Sequence, residues 1–221
     1  MIFVMRQFVI ADIHGQEEKL LEVFQKANFN HNKDQLICLG DIVDRGPNSK
    51  QVIEIMMTIK NLILILGNHD LCFVEWMMFK HASETWKSCG GQQTINSFNN
   101  DDMIPYINFF SKAKPYHIDK NRFFTHGCIP YNFEQAEIFD FMMDRSLARQ
   151  IVFKNVWNRY PYSEVFLGHT VIGNEPIHYD KFWLMDTGAG FGGKITMMDI
   201  NSYQQYQSEG FLKTNPNQFS L

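Results

Sequence analysis

The first third of the chain alternates short, continuous apolar runs with longer stretches whose apolar positions recur at helical spacing. Residues 8–11 (FVIA), 36–39 (LICL) and 62–66 (LILIL) are the runs, and their brevity and their glycine or polar flanks predict buried strands. Between the first two, residues 17–27 put Leu20, Leu21, Phe24 and Ala27 on one helical face, with Glu17 and Glu18 in the first turn. Pro47 opens a second helix whose Val52, Ile53, Met56 and Ile59 face inward. The order β-α-β-α is that of a layered α/β protein.

Beyond residue 70 the pattern loosens. Residues 71–80 (LCFVEWMMFK) read as a strongly apolar helix, with Trp76, Met77 and Met78 as core or lid packing. Gly90-Gly91, the polar residues 99–102 and two prolines then break residues 81–115 into short helices and turns. The stretch 71–115 is therefore expected to be a helical insertion lying over a site. Strands return at 122–125 and 165–168, around a mixed helix-and-loop region at 133–157. Residues 182–185 and 195–200, separated by the glycine-rich 186–193, read as hairpin-like β structure. Those glycines are not a dinucleotide fingerprint, because a strand and not a helix follows them. Residues 207–221 are polar and expected to fray, and residues 1–4 could extend the first strand, since Met5 is also a sensible start. Repeats, low-complexity tracts and linkers are lacking, so residues 1–221 read as a single domain.

Composition narrows the function classes. At 221 residues, 45% apolar and 14% aromatic, the chain can fill a large core and is not disordered. A net charge of -4 and a pI near 6.0 give no general attraction to nucleic acid. Cys38, Cys72, Cys89 and Cys128 form no C-x-x-C pair, hence neither a disulfide framework nor a zinc knuckle. Arg6 and Gln7 interrupt any leader-like start, and no run approaches the ~20 residues that span a bilayer. A cytoplasmic monomer without nucleic-acid or membrane partners is the expectation.

The chemistry gathers where the strands stop. Asp12-Ile13-His14-Gly15 follows the first, Gly40-Asp41-Ile42-Val43-Asp44-Arg45-Gly46 the second, Gly67-Asn68-His69-Asp70 the third, His126-Gly127 the fourth and Gly168-His169-Thr170 the fifth. If Asp12 to His14 were still extended, both side chains would point to one face. Alone, Asp12 reads more simply as a helix N-cap, and Asp44-Arg45 as a solvated turn with a surface ion pair. In parallel α/β sheets, however, ligand sites collect at the carboxyl ends of strands, so these residues should converge. Carboxylate, imidazole and amide oxygen together suit two borderline divalent ions, manganese first and iron or zinc as alternatives, with Asp41 bridging. Such a pair, ~3.5–4 Å apart, would hold a hydroxide nucleophile and clamp a phosphoryl oxygen. Arg45 and Arg145 are available for the remaining phosphate oxygens.

In order and spacing these blocks resemble the phosphoprotein phosphatase branch of the calcineurin-like metallophosphoesterases, above all small bacterial and phage serine/threonine protein phosphatases of the lambda type. The similarity runs over nearly the whole chain, including Asp144-Arg145-Ser146-Leu147 and the closing residues 186–194. It implies two mixed β-sheets packed as a sandwich and flanked by helices. It also implies Asp12, His14 and Asp41 on one metal, and Asp41, Asn68, His126 and His169 on the other. Arg45 and Arg145, with Asn68, would hold phosphate; His69 would donate a proton to the leaving oxygen, oriented by Asp44. The reaction implied is direct attack of a dimetal-bound hydroxide on a phosphomonoester, in a phosphorylated protein or a small phosphate ester. Three positions depart from the branch: Ala11 for a glycine, Cys128 for a glycine, where it adds bulk and an oxidation-sensitive thiol, and Asp70 for a glutamate. Aspartate there is more typical of symmetrical bis(5'-nucleosyl)-tetraphosphatases, which stands as the alternative activity. A non-catalytic binding module of the same fold is a third reading, disfavoured because no ligand is missing.

Overall fold

The apolar runs become strands because both of their faces are covered. The computed structural model describes residues 5–98, 101–130, 135–156 and 160–212. β1 (Gln7–Ile10), α1 (Glu17–Lys26), β2 (Gln35–Cys38), α2 (Ser49–Met57) and β3 (Asn61–Leu64) form two parallel crossovers, with Phe8 level with Leu36 and Leu36 with Leu62. A helical region follows: α3 (Asn68–Phe79), α4 (Glu84–Trp86), a π turn (Lys87–Gly91), α5 (Gln92–Ser97) and α6 (Ile104–Phe110). Then come β4 (Tyr116–Asp119), β5 (Arg122–Thr125), α7 (Ile138–Met142), α8 (Ser146–Val152), β6 (Glu164–Leu167), β7 (Ile177–Tyr179) and β8 (Phe182–Leu184). β9 (Thr196–Asp199) and β10 (Gln205–Gln207) return to the first sheet, after a short 3-10 turn (Ala189–Phe191). The sheet orders are β10-β9-β1-β2-β3 and β4-β5-β6-β8-β7, and both sheets mix parallel and antiparallel pairs.

Strand alternation sorts the core into layers. Phe8, Ile10, Leu36 and Cys38 join a cluster with Leu20, Val23, Val52, Ile53, Phe73 and Phe110 from the helices. Val9, Ile37 and Leu39 point the other way, onto Phe124, Phe166 and Trp183 of the second sheet. Phe123, Val165, Leu167, Phe182 and Leu184 close against Phe141, Leu147 and Ile151. The molecule is thus a helix–sheet–sheet–helix sandwich, and the interior strands β1, β2, β6 and β8 carry continuous apolar runs because successive side chains enter different cores. Phe166 lies at the centre, stacked 4.8 Å from Phe124 and 6.3 Å from Trp183.

Several details differ from the sequence expectation. The two closing runs do not pair with each other: β8 lies beside β6 and β7, and β9 beside β1 and β10, so each belongs to a hairpin with a partner of weaker apolar signal. α3 starts at Asn68, not residue 71, which makes Asn68, His69 and Asp70 its first turn. Pro47 precedes the N-cap Asn48 and is not itself helical. Met77 is buried and Trp76 packs against the core, whereas Met78 is exposed. Residues 207–212 are not frayed: Gln207 ends β10, and Ser208 and Leu212 are buried. The expectations for residues 1–4, 99–100 and 213–221 fall outside the described residues.

Candidate metal centre

Asp12 and His14 follow β1, Asp41 follows β2, Asn68 follows β3, His126 follows β5 and His169 follows β6. These strands are parallel, so the residues after them share one edge of the sandwich. Asp12, His14, Asp41, Asp44, Arg45 and His169 have φ of 40, 49, 51, 72, 65 and 62°, in the left-handed region. The i, i+2 argument for Asp12 and His14 therefore does not apply; the backbone curls and is not extended. Left-handed backbone costs L-residues energy, least for aspartate, asparagine and histidine, and is held where surrounding contacts enforce it. Those contacts are here: His14 N donates to Asp41 O at 2.9 Å, Gly15 N to Ile42 O at 2.9 Å and Gly46 N to His14 O at 3.0 Å. Gly67 must be glycine, since a Cβ would come 2.1 Å from Asp41 Oδ1.

Asp12 is no helix cap; the N-cap of α1 is Gln16. Its Oδ1 accepts the His169 N–H at 2.9 Å, and Asp41 Oδ1 likewise accepts the His69 N–H at 2.9 Å. The other carboxylate oxygen of Asp41 is shared: Oδ2 is 3.8 Å from His14 Nε2 and 3.3 Å from His126 Nε2. Asn68 Oδ1 lies 3.2 Å from that same His126 Nε2. His14, Asp41 and His69 form one buried group and Asp41, His126 and His169 another, each with donor atoms within 4.8 Å of one another. Asp12 is absent from the first group, where His69 takes the third place.

The donor chemistry fits cations. Nδ1 of His14 meets the Val43 carbonyl at 2.9 Å, Nδ1 of His126 meets the Leu39 carbonyl at 2.7 Å, and His169 bonds the backbone of Met143. A Nδ1–H given to a carbonyl leaves Nε2 as a lone pair aimed into the site, the arrangement of metal-binding imidazoles. His169 Nε2 is buried without a hydrogen-bond partner. A buried acceptor without a protein partner, beside a carboxylate, is a position that a cation can fill. Electrostatics agree. Burial pushes His14 down to about 3 and His169 down to about 2, keeping both neutral. Burial and the Asp186 charge raise Asp12 well above the carboxylate range. Burial also opposes charge on His126, but Asp41 outweighs it and lifts that imidazole to about 10, a proton doing there what a metal ion would do.

Beside this centre, Asp44 is fully buried and does not pair with Arg45, so the surface ion-pair reading fails. Its Oδ2 accepts His69 Nδ1 and Trp86 Nε1, both at 2.6 Å, and Oδ1 accepts Thr94 Oγ1 at 2.6 Å. Its own N–H faces Ser49 Oγ at 2.9 Å and Thr94 Oγ1 at 3.1 Å. Trp86 and Thr94 come from the helical stretch after α3 and had no role in the sequence reading; nothing in that broken pattern singles them out. Arg45 spreads its guanidinium between His14 Nε2 at 2.5 Å and His69 Nε2 at 2.8 Å. Arg145 stands at the N-cap of α8; burial lowers its pKa while the Asp12 and Asp41 charges oppose that.

Asp70 does not face the site opening. It is fully buried and takes three backbone N–H groups, Asp41 at 2.8 Å, Ile42 at 2.9 Å and Gly67 at 3.0 Å. It clasps the two strand-end loops together, so both of its carboxylate oxygens are committed to the backbone. Asp186, overlooked among the glycines, ends β8 on the same edge, buried, and burial raises it to about 6. The signal was an apolar strand stopping at an acid, as at Asp12 and Asp41. Cys128 is buried in the second-sheet core and burial pushes its thiol up to about 12, the opposite of an oxidation-prone thiolate. No helix among the described residues is long and apolar enough to cross a membrane.

Comparison with known proteins places this geometry. The calcineurin-like phosphoesterase family model matches residues 5–183. A symmetrical bis(5'-nucleosyl)-tetraphosphatase of Nitrosospira multiformis is 26% identical over 143 residues, 63% of this chain and 50% of the relative. The chain spans about half the length of that curated relative, or less in others it matches. Among solved structures, a provisionally assigned diadenosine tetraphosphatase superposes with a TM-score of 0.67 at 16% identity, covering 94% of both chains. A protein serine/threonine phosphatase from Saccharomyces cerevisiae gives 0.61 at 14% identity, covering 96% of this chain and 81% of that one. The structural likenesses speak for fold alone, but the family match covers most of the chain and with it the strand-end blocks at Asp12, Asp41, Asn68, His126 and His169: the chain belongs to the calcineurin-like phosphoesterase family.

Proposed function

We propose that the chain is a metal-dependent hydrolase of phosphate esters and anhydrides, and that dinucleoside polyphosphates are its substrates. The observation that carries the chemistry is the set of imidazole Nε2 atoms locked by their Nδ1 partners and aimed at Asp41. Asp41, Asn68, His126 and His169 would hold one divalent cation, manganese by preference, and Asp12, His14 and Asp41 the other. Bound there, such ions polarise a phosphoryl oxygen and make water nucleophilic at neutral pH.

The chain's own groups supply the rest. Arg45 presents a planar fork beside His14 and His69, suited to two oxygens of one phosphate. Arg145 adds a second positive charge facing the same carboxylates. His69 would pass a proton to the leaving oxygen through Nε2, which faces Arg45 Nη2 at 2.8 Å, and the 2.6 Å contact of its Nδ1 with Asp44 orients the ring. Trp86 and Thr94 hold Asp44 in place for that task.

The substrate choice follows the curated relatives, named for tetraphosphate hydrolysis. A serine/threonine protein phosphatase is the second reading, favoured because the Asp44-Arg45 pair matches the protein phosphatases, whereas the tetraphosphatases often lack this acid. Asp70 no longer separates the two, because its carboxylate is spent on backbone N–H groups. Turnover of diadenosine tetraphosphate against a phosphoserine peptide, both with manganese, decides: clear preference for the peptide overturns the substrate, and no turnover of either overturns the chemistry.

A further inference from the structure

Phe191 stands beside Arg45, outside the cluster of candidate metal ligands. It is 61% exposed, yet the loop that carries it is tightly built. Asp186 Oδ1 accepts the Gly188 N–H at 2.9 Å, and the Gly188 carbonyl accepts both Phe191 N and Gly193 N at 2.9 Å. Lys19 Nζ ties the far end to the Gly193 carbonyl at 2.5 Å. The loop is pressed onto the site: a Cβ on Gly190 would lie 2.7 Å from His14 Cδ2 and 2.8 Å from Arg45 Cδ. The Arg45 guanidinium carbon sits 4.4 Å from the Phe191 ring centroid, in cation–π contact. One part of the ring thus meets the cation that reaches His14 and His69, and the remainder is open to solvent.

We infer that Phe191 is a stacking platform for a nucleobase of a substrate whose phosphates lie on Arg45. This deepens the proposed function and rests on it. A flat apolar ring carried on a hydrogen-bonded loop, in contact with the cation proposed to bind phosphate, matches a ligand that joins an aromatic ring to a phosphate chain. A phosphoserine side chain has no ring to place there. Because every base offers a π-face, the platform favours nucleotides over ring-free polyphosphates without choosing among bases.

The test compares diadenosine tetraphosphate with inorganic tetraphosphate, which keeps the phosphate chain and lacks the bases. Phe191→Ala should raise KM for diadenosine tetraphosphate by about ten-fold or more and leave the kinetics of inorganic tetraphosphate unchanged. Phe191→Trp should restore the wild-type KM, whereas Phe191→Leu, apolar without a π-face, should not. Equal losses on both substrates would show that the ring only braces Arg45 and would overturn the inference. So would an unchanged KM for diadenosine tetraphosphate in the alanine variant. Wild-type protein that cleaves inorganic tetraphosphate and not diadenosine tetraphosphate would instead refute the substrate reading itself, and stacking with it.

Discussion

Replacing Trp86 by phenylalanine isolates what the indole N–H does for the buried Asp44 carboxylate. The phenyl ring keeps apolar bulk over Gly91, against which the indole packs, and removes one of two donors to Asp44 Oδ2. A hydrogen bond to a charged group contributes about 1.5–3 kcal/mol. The smaller ring leaves a void worth about 1 kcal/mol. Unfolding free energy should therefore fall by about 2.5–4 kcal/mol, which urea denaturation of chelator-treated protein would measure without any contribution from bound metal. Turnover at saturating manganese should drop about ten-fold, since Asp44 then orients His69 less firmly; that factor corresponds to about 1.4 kcal/mol. The Asp44→Asn background separates packing from charge. There the same Trp86→Phe change should cost at least about 1 kcal/mol less, because no anion is left to stabilise. An identical cost in both backgrounds would show that the indole acts by packing alone, and the assignment of Trp86 to the Asp44–His69 pair would be wrong.

Three further outcomes follow from the same geometry. Asp70→Asn puts an NH2 group where both oxygens now accept N–H donors, so it should destabilise by about 2–4 kcal/mol and weaken manganese binding, read by denaturation and calorimetry; an unaltered protein would refute the clasp. Phe166→Ala opens a cavity between the sheets and should cost about 3–5 kcal/mol in the same denaturation assay, while a cost below about 1 kcal/mol would contradict the central place given to that ring. Under native conditions an aromatic disulfide reagent should modify exposed Cys89 quickly and leave Cys38 and Cys128 untouched until unfolding, since burial raises both thiols far above neutral pH.

The strand-end chemistry was legible because apolar runs stopping at glycine, acid and histidine report local sequence and sheet topology together. Those runs sufficed to bring His14, Asp41, Asn68, His126 and His169 to one edge, whereas the two packed sheets were implied by the family resemblance of the motifs and not by the runs themselves. Other features were hidden for physical reasons. β4, β7 and β10 are edge strands with weaker apolar content, and half-buried strands give short, ambiguous patterns. The closing glycine stretch read as one hairpin because strand partners are non-local, and nothing in residues 182–200 says that β8 and β9 enter different sheets. The left-handed backbone at Asp12 and His14 is imposed by hydrogen bonds to the Asp41 loop, which periodicity cannot report. Trp86 and Thr94 act across more than forty residues of chain on Asp44, and such contacts leave no spacing signature. Asp70 shows the converse error, since a residue taken as a substrate marker serves only the backbone around it.

Manganese titration of the chelator-stripped protein, followed by calorimetry with phosphoester hydrolysis recorded at each loading, tests the central claim most directly. The account predicts two ions per chain, activity rising with occupancy, and loss of about one ion when the orphaned His169 is changed to alanine. A wild-type protein that takes up no divalent ion, or a His169→Ala variant that binds and turns over as the wild type does, would contradict it.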